Sequence, residues 1–415
     1  MNKILFIIVV LIFVLSCSKD ADIKNENGVI ISKSPLWTTA TTDDDSLTYA
    51  FLFKEAFIHK NSVLIKSRKS KKEILRCLNV NDGSVKWDWG EFFENSEGIL
   101  YPYKYQDKII WQERYYNYCV DLNTGTTVWK NASQENYERR SFGVNDIFTV
   151  SHLINRNTLI ETGGNIVVMN SKTGKSLFSF KPKYDTTGIH SFDNCGWGYM
   201  GFPSVFTKNG DEYILIKFND PPPSCQLFGT EWLGLYNYSK KEWVYERQKL
   251  KSVDGAFGTS SPPIIFNDKI YSNPNNGIVC HDLMTGNKLW ETAGTSSTAS
   301  IIKIDNGYIY VSSEGGLLTC LNANSGSVKW SINPSGTRTA VSILNGVVYF
   351  VGSDGKLYAI EAETGKYLWK IDSPDRTKNK WALFLGMCSV VQVGSEKGRI
   401  VVTTGLNAYC YEAIR

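Results

Sequence analysis

An all-β fold built from repeated four-stranded sheets is what this sequence predicts, on three observations. A unit with a fixed internal register recurs along the chain. Each copy joins an alternating apolar run to a glycine-centred turn, and a second hairpin signal precedes the clearest copies. Composition agrees: aromatic residues make up 13% of the chain, with 12 Trp and 34 Gly, which suits short strands and tight turns. At 42% hydrophobic and 21% charged over 415 residues, a large core can be buried and global disorder is excluded. The 45 Lys and Arg nearly balance the 41 Asp and Glu. No nucleic-acid partner is expected, because phosphate contacts need a dominant basic field. Four His and no His/Cys ligand cluster argue against a zinc enzyme.

The amino terminus reads as an address. Met1-Asn2-Lys3 leads into the apolar run Ile4–Leu15, too short to span a bilayer comfortably and suited to a signal-peptide core over residues 1–16. Its end, Val14-Leu15-Ser16-Cys17, resembles the bacterial lipobox, which implies acylation at Cys17. Two or three acyl chains there would anchor the mature protein stably. Ser18 after the cysteine resembles the sorting pattern for the outer membrane. Lys19-Asp20-Ala21-Asp22 is loosely similar to the charged export tag of some surface lipoproteins, so the body is expected to face the periplasm or the cell surface. Residues 17–33 are expected to be a flexible, lipidated tether, and residues 34–415 the folded body.

The repeat itself is readable in physical terms. Its clearest copies run from Cys119 through Gly125 to Trp129, from Cys280 through Gly286 to Trp290, from Cys320 through Gly326 to Trp330, and from Ala359 through Gly365 to Trp369. Cys77, Gly83 and Trp87 match, and Val168, Gly174 and Phe178 match with Phe for Trp. A degenerate copy is read as Leu233, Ser239 and Trp243. In every copy the small or apolar slot precedes the turn residue by six and the aromatic follows it by four. The turn glycines Gly83, Gly125, Gly174, Gly286, Gly326 and Gly365 supply the left-handed residue that a short hairpin loop needs, and the polar residues before them cap the turn. Upstream of the copies, Asn267-Asp268 and Asn345-Gly346 sit between apolar runs as further hairpin turns.

Four strands per unit, recurring at 42, 49, 65, 47, 40 and 39 residues, fit a propeller blade. Seven units end in an aromatic. An eighth begins after Trp369 and reaches Cys410, whose turn glycine would fall beyond the last residue. Pro35-Leu36-Trp37-Thr38-Thr39 carries a spare Trp and no blade of its own. The fold expected is therefore an eight-bladed β-propeller of four-stranded antiparallel blades, closed by the N-terminal strand in the last blade, which removes an exposed edge.

The pattern Cys/Ala-x-Asp/Glu-x-x-Thr-Gly-x-x-x-Trp resembles the tryptophan-docking motif of the pyrroloquinoline-quinone (PQQ)-like propeller superfamily over nearly all of the mature chain. In that family each Trp stacks on the turn of the next blade. The resemblance implies a structural girdle of Trp37, Trp87, Trp129, Phe178, Trp243, Trp290, Trp330 and Trp369. Quinoprotein dehydrogenases of the superfamily use an adjacent Cys-Cys pair, a calcium-binding acid/amide set and a catalytic Asp. This chain has no Cys-Cys dipeptide, and its spacing offers no calcium set; Asp43-Asp44-Asp45 reads as a solvated turn. No catalytic residue, metal or cofactor is expected, PQQ included. In size, repeat and anchor the chain is similar to the outer-membrane lipoprotein subunit of the β-barrel assembly machinery. That implies a monomeric, non-enzymatic scaffold for protein partners in the outer membrane or periplasm. The alternatives are a glycan-binding or glycan-processing surface lipoprotein, for which Trp197, Tyr101 and Tyr103 would be stacking aromatics, and a quinoprotein dehydrogenase-like enzyme.

Cys77, Cys119, Cys280, Cys320 and Cys410 share one slot per blade, too far apart for disulfides, and are expected to be free and buried. Cys195 and Cys225 flank the longest excursion on one face; a bridge between them and two free thiols both remain open. Cys388 is the remaining cysteine outside the slots. The face that collects the longer connections is expected to meet partners, with Trp197, Phe228, Trp232 and Trp381 contributing. The basic run Lys66–Lys72 reads as a solvated hairpin end.

Overall fold

The computed structural model describes residues 23–24, 30–43, 57–91, 102–112, 116–132, 137–144, 146–152, 165–183, 203–220, 230–250, 262–274, 277–294, 302–312, 316–334, 341–394 and 397–414. Three strands come first: β1 (Ile23–Lys24), β2 (Ile30–Ser32) and β3 (Trp37–Ala40). The rest form meanders in chain order, here called sheets. Sheet 1 runs from Ile58 to Trp89, sheet 2 from Tyr103 to Ala132, sheet 3 from Tyr137 to Phe180 and sheet 4 from Ser204 to Lys249. Sheet 5 runs from Ile264 to Ala293, sheet 6 from Ile302 to Ile332, sheet 7 from Ser342 to Ile371 and sheet 8 from Leu385 to Glu412.

Seven of these are four-stranded antiparallel blades, not the eight expected. Sheet 7 is six-stranded: β2 pairs parallel to its outer strand Tyr367–Ile371, with Ile30 opposite Trp369, and β1 pairs antiparallel to β2. The physical reason is an unpaired strand edge beside a chain segment rich in Ile (Ile23, Ile30, Ile31), which the edge takes up. Part of the span expected to be flexible tether is thus strand. In sheet 8 the fourth strand is β3, with Trp37 opposite Cys410 and Ala40 opposite Asn407.

The cores are seams between sheets, and the seams run in a circle. Trp37, Val63, Ile65, Leu78, Val80 and Cys410 pack sheet 8 on sheet 1. Leu64, Trp89, Trp111 and Tyr118 join sheets 1 and 2. The series continues through every following neighbour to sheets 7 and 8, joined by Tyr349, Trp369, Phe384, Tyr409 and Tyr411. Both faces of each sheet are therefore apolar, which is why the third strands read as unbroken buried runs such as Leu318–Leu321 and Leu357–Ile360.

Each turn glycine has an aromatic of the preceding sheet lying on it. A Cβ on Gly83 would sit 2.5 Å from Trp37, one on Gly125 2.5 Å from Trp87, and one on Gly326 2.5 Å from Trp290. The indole N–H of Trp37 donates to the Val80 carbonyl at 2.8 Å, that of Trp87 to Leu122 at 3.1 Å, that of Trp129 to Ser171 at 3.1 Å and that of Trp330 to Ala362 at 3.0 Å. All four acceptors lie three residues after the slot. Trp290 finds no acceptor of this kind among the described residues, and Tyr271 Oη takes the Ala323 carbonyl instead.

Sheet 4 departs from the expected register. Leu235, not Leu233, fills the slot, opposite Tyr245 rather than Trp243. Six residues on, Lys241 holds the turn position at φ 58, where the other copies place glycine. Asn237 Oδ1 accepts the Lys240 N–H, as Asp121 Oδ1 accepts that of Thr124 in sheet 2. Tyr245 then does what a docking Trp does elsewhere: its hydroxyl donates to the Leu283 carbonyl at 3.1 Å and its ring meets the Gly286 position. Trp243 packs edge-on against Phe180 and Tyr236 and is removed from the girdle.

At the preceding joint, a Phe faces a Lys where five other joints pair Trp with Gly. Lys241 Nζ lies 4.8 Å from the Phe178 ring centroid and 3.0 Å from that of Tyr238, a cation–π contact in place of ring-on-glycine stacking.

Gly125→Ala should cost about 3–4 kcal/mol, from about 1–2 for a left-handed non-glycine residue and about 2 for displacing the Trp87 ring. Gly210 has a comparable φ of 85 but nothing within 4 Å of its Cβ position, so Gly210→Ala should cost only the first part, about 1–2 kcal/mol. Equilibrium urea unfolding of the two variants measures the difference.

Candidate functional site

The meander order assigns every connection to one of two faces. One carries the hairpin turns between first and second strands and the Thr/Ser-Gly turns between third and fourth. Asn209-Gly210, Asn267-Asp268, Asn306-Gly307 and Asn345-Gly346 have positive φ at both positions, the geometry of two-residue hairpins that match strand twist. The Thr/Ser-Gly turns are held by the docked aromatics, whose rings leave no space at the glycines. The other face carries the second-to-third and sheet-to-sheet connections, and it is the candidate site.

On that face the described residues build two polar stations. In sheet 4, Asp220 lies at the end of the second strand, Trp232 in the third and Arg247 in the fourth. Arg247 Nη1 donates to Asp220 Oδ1 at 3.0 Å and Nη2 to Oδ2, a bidentate pair. The Trp232 indole N–H donates to the same carboxylate at 2.7 Å, and the guanidinium lies 4.2 Å from the Trp232 ring centroid. Nη1 also donates to the Lys183 carbonyl at 2.6 Å, tying the chain that leaves sheet 3 to sheet 4. Lys217, one strand in, is 3% exposed, and burial lowers its ammonium pKa against the opposing pull of Glu231.

The second station joins sheets 7 and 8. After Ile371 the chain makes one 3-10 turn, Pro374–Thr377, capped by Ser373, whose Oγ accepts the Asp375 N–H. Asp375 is buried and accepts from Thr404 Oγ1 at 2.5 Å and Asn407 Nδ2 at 2.8 Å. The Phe384 N–H bonds to the Gly355 carbonyl at 3.1 Å, and Ala382 and Phe384 are buried. The loop is thus pinned at both ends, and between them Trp381 is 69% exposed.

Sheet 1 adds a third charged cluster. Arg76 grips Asp88 through two nitrogens, at 2.7 and 3.0 Å, and Lys69 reaches the same carboxylate at 3.3 Å. Burial would raise the Asp88 pKa, but Arg76 and Lys69 together outweigh it and hold the carboxyl below its usual range. Lys66 pairs with Glu73 at 2.8 Å, and Asp43 accepts the Ser70 N–H at 2.6 Å.

Of the two described residues expected to meet partners, Trp232 is held by Asp220 and Arg247, and Trp381 stands clear of the body. Trp197, Phe228, Cys17, Cys195, Cys225, Tyr101, Asp44 and Asp45 lie outside the described residues. Tyr103 is half-buried beside Tyr105. Cys77, Cys119, Cys280, Cys320, Cys388 and Cys410 are buried free thiols. Burial pushes Cys119, Cys388 and Cys410 up to about 12 and the other three to about 11. Among the described residues no three His, Cys, Asp or Glu side chains are grouped to hold a metal ion. No described helix is long and apolar enough to cross a membrane. Sequence reasoning passed over Lys217, Asp220, Arg247 and Asp375. Only Asp375 carried a local signal, the Ser-Pro-Asp start of a helical turn.

Compared with known families, residues 274–407 match the model described as outer membrane protein assembly factor BamB, about a third of the chain. No curated protein sequence matches significantly. Among solved structures, quinohemoprotein alcohol dehydrogenase from Comamonas testosteroni is 11% identical, with a TM-score of 0.64 over 91% of this chain and 76% of that one. The computationally designed Ika8 protein is 12% identical, with a TM-score of 0.59 over 90% of this chain and 99% of that one. BamB from Moraxella catarrhalis is 14% identical, with a TM-score of 0.46 over 84% and 95%. At these identities the likeness is one of fold.

Two outcomes check the interior of the seams. Alkylation of the native full-length protein at pH 8 should leave the six buried thiols unmodified and label them only after denaturation, read by peptide mass spectrometry. His281 is 0% exposed at the seam of sheets 4 and 5, where equivalent positions hold residues such as Leu78, Leu321 and Ile360. Burial pushes its pKa down to about 4, against about 6.5 in the unfolded chain. The unfolded state therefore binds more protons between those values. The native contribution is intact above pH 6.5 and lost as pH falls towards 4, about 3 kcal/mol in all. Urea midpoints measured from pH 7 to pH 4 should fall less in His281→Leu than in the native chain.

Proposed function

We propose that this β-propeller, which resembles the PQQ-like family, is a lipid-anchored scaffold of the outer membrane. It holds protein partners, in the assembly of outer-membrane proteins, through the face of longer connections. The observation that carries this reading is the match of residues 274–407 to the assembly-factor family, a segment spanning sheets 5 to 8. In support, the candidate face has rigid polar stations at Asp220–Arg247 and Asp375–Asn407, the form in which loops present a binding surface on a stiff frame. In this reading Cys17 is the acceptor of the anchor.

The scaffold reading takes no quinone. The chain has no Cys-Cys dipeptide, and the two buried acids of the candidate face are engaged within the chain: Asp220 by Arg247, Asp375 by Thr404 and Asn407. The likeness to dehydrogenases is one of fold alone.

Full-length lipoprotein, crosslinked in intact cells and purified under denaturing conditions, should carry integral β-barrel membrane proteins. Cys17→Ser should lose acyl labelling and leave the membrane fraction. Crosslinking that yields no membrane protein, together with specific binding on a glycan array, would overturn the scaffold reading.

A further inference from the structure

We propose that the loop between sheets 7 and 8 is a second membrane contact, its Trp381 seated among phospholipid headgroups with Arg376, Lys378 and Lys380 around it. The proposal rests on the lipid anchor at Cys17 and adds a surface that the anchor alone does not provide.

The first argument is where the anchored end of the chain leaves the body. β2 runs parallel to the outer strand of sheet 7, with Ile30 opposite Trp369. Two residues further along both strands, Ser32 comes level with Ile371, where that strand ends. β1 is antiparallel to β2, with Ile23 opposite Ser32. The chain therefore enters β1 beside the end of the outer strand, on the face of longer connections, and that strand end leads directly into Ser373. Five residues lie between Cys17 and Ile23, a reach of at most about 22 Å over six steps. A tether running freely to residue 33 would let the body drift and turn. Docked at Ile23, it holds this corner of sheet 7 at the bilayer.

The second argument is the chemistry of the loop. Trp381, at 69%, is the most exposed of the large hydrophobic residues described. It is exposed on a rigid mount: its N–H bonds to Asn379 Oδ1 at 3.0 Å, its neighbour Ala382 is buried, and Leu383 packs on Gly355. A Trp offered to water this way has an apolar body and a polar edge, which suits the headgroup layer. Lys378 and Lys380 are exposed, with Lys380 Nζ 5.2 Å from the Trp381 ring centroid. Arg376 is exposed and pairs with Asp372, which Lys356 also reaches at 2.9 Å. The loop's other acid, Asp375, is turned inward to Thr404 and Asn407. The outward charge is therefore basic and complements phosphate-bearing lipid. Trp232, on the same face at sheet 4, shows the contrast: it is tied down by Asp220 and lies on the body.

The test uses full-length acylated protein reconstituted into phosphatidylethanolamine–phosphatidylglycerol vesicles, with and without brominated acyl chains, reading Trp fluorescence. Bromolipid quenching of the native protein should be roughly threefold greater than that of Trp381→Ala, while Trp232→Phe should match the native protein. Lys378→Glu with Lys380→Glu should reduce the quenching roughly twofold on anionic vesicles. A native protein that is not quenched, or quenching equal in Trp381→Ala, overturns the contact. A photoreactive side chain placed at 381 in intact cells should give a phospholipid adduct, and an adduct to protein alone would assign the loop to a protein partner and overturn the proposal. Acyl label on Cys17 with no quenching removes this contact only, whereas absence of the label removes the anchor with it.

Discussion

An aromatic ring laid on the turn of the next sheet is the contact on which the rest of this molecule depends. Glycine at the turn does two jobs there: it adopts a left-handed φ, and it leaves out the one carbon that would occupy the ring's place. Trp87 over Gly125 shows both, at φ 71 and 2.5 Å. The indole N–H then satisfies a carbonyl three residues past the slot. A single side chain thereby buries apolar area and pairs a main-chain acceptor across the seam. At one joint both the ring and the turn residue differ. Phe178 faces Lys241, whose side chain occupies what a glycine would have left open and whose ammonium lies over the Phe178 and Tyr238 rings.

That coupling explains what the sequence made legible. Slot, turn and aromatic recur at fixed offsets because the hairpin has one length and the ring must land on one atom. The repeat could therefore be read from residue types alone. Sheet 4 was misread by two residues for the same reason. It lacks both the glycine and the docking Trp, so Trp243 drew the register to Leu233. Asn237 was the better guide, because the side chain that caps the turn persists two residues after the slot even when the glycine does not. The addition of β1 and β2 to sheet 7 had no pattern to reveal it. Five described residues make those two strands, and only the unpaired edge of Tyr367–Ile371 gives them a place.

The same contact divides the molecule into a constrained face and a free one. Trp37, Trp87, Trp129, Tyr245, Trp290 and Trp330 each lie on a turn glycine of the first face, so each of those turns is sterically committed to its neighbour. The described connections on the second face bear no docked ring of a neighbouring sheet and can lengthen without breaking a seam. Ion pairs lie on both faces, Lys172–Asp146 and Lys208–Asp268 among those of the first. Arg247–Asp220 and Arg76–Asp88 are bidentate pairs at strand ends, where water can still reach one side. Inside the seams the ionisable residues are few and their burial works against the charged form, as at His281 and Lys217.

The candidate face was less legible than the fold because its geometry is made by partners distant in sequence. Trp232 and Trp381 look alike as letters, each in a connection or at its edge on the same side of the ring. What separates them is Asp220, twelve residues before Trp232, and Arg247, fifteen after it, which close over that indole from two other strands. Trp381 has Lys380 beside it and a buried carboxylate turned the other way. Exposure is then set by which acid faces outward. Asp220 points at its own Trp and takes it out of reach. Asp375 points at Thr404 and Asn407, bracing the loop from below and leaving the Trp381 indole to whatever lies above the face.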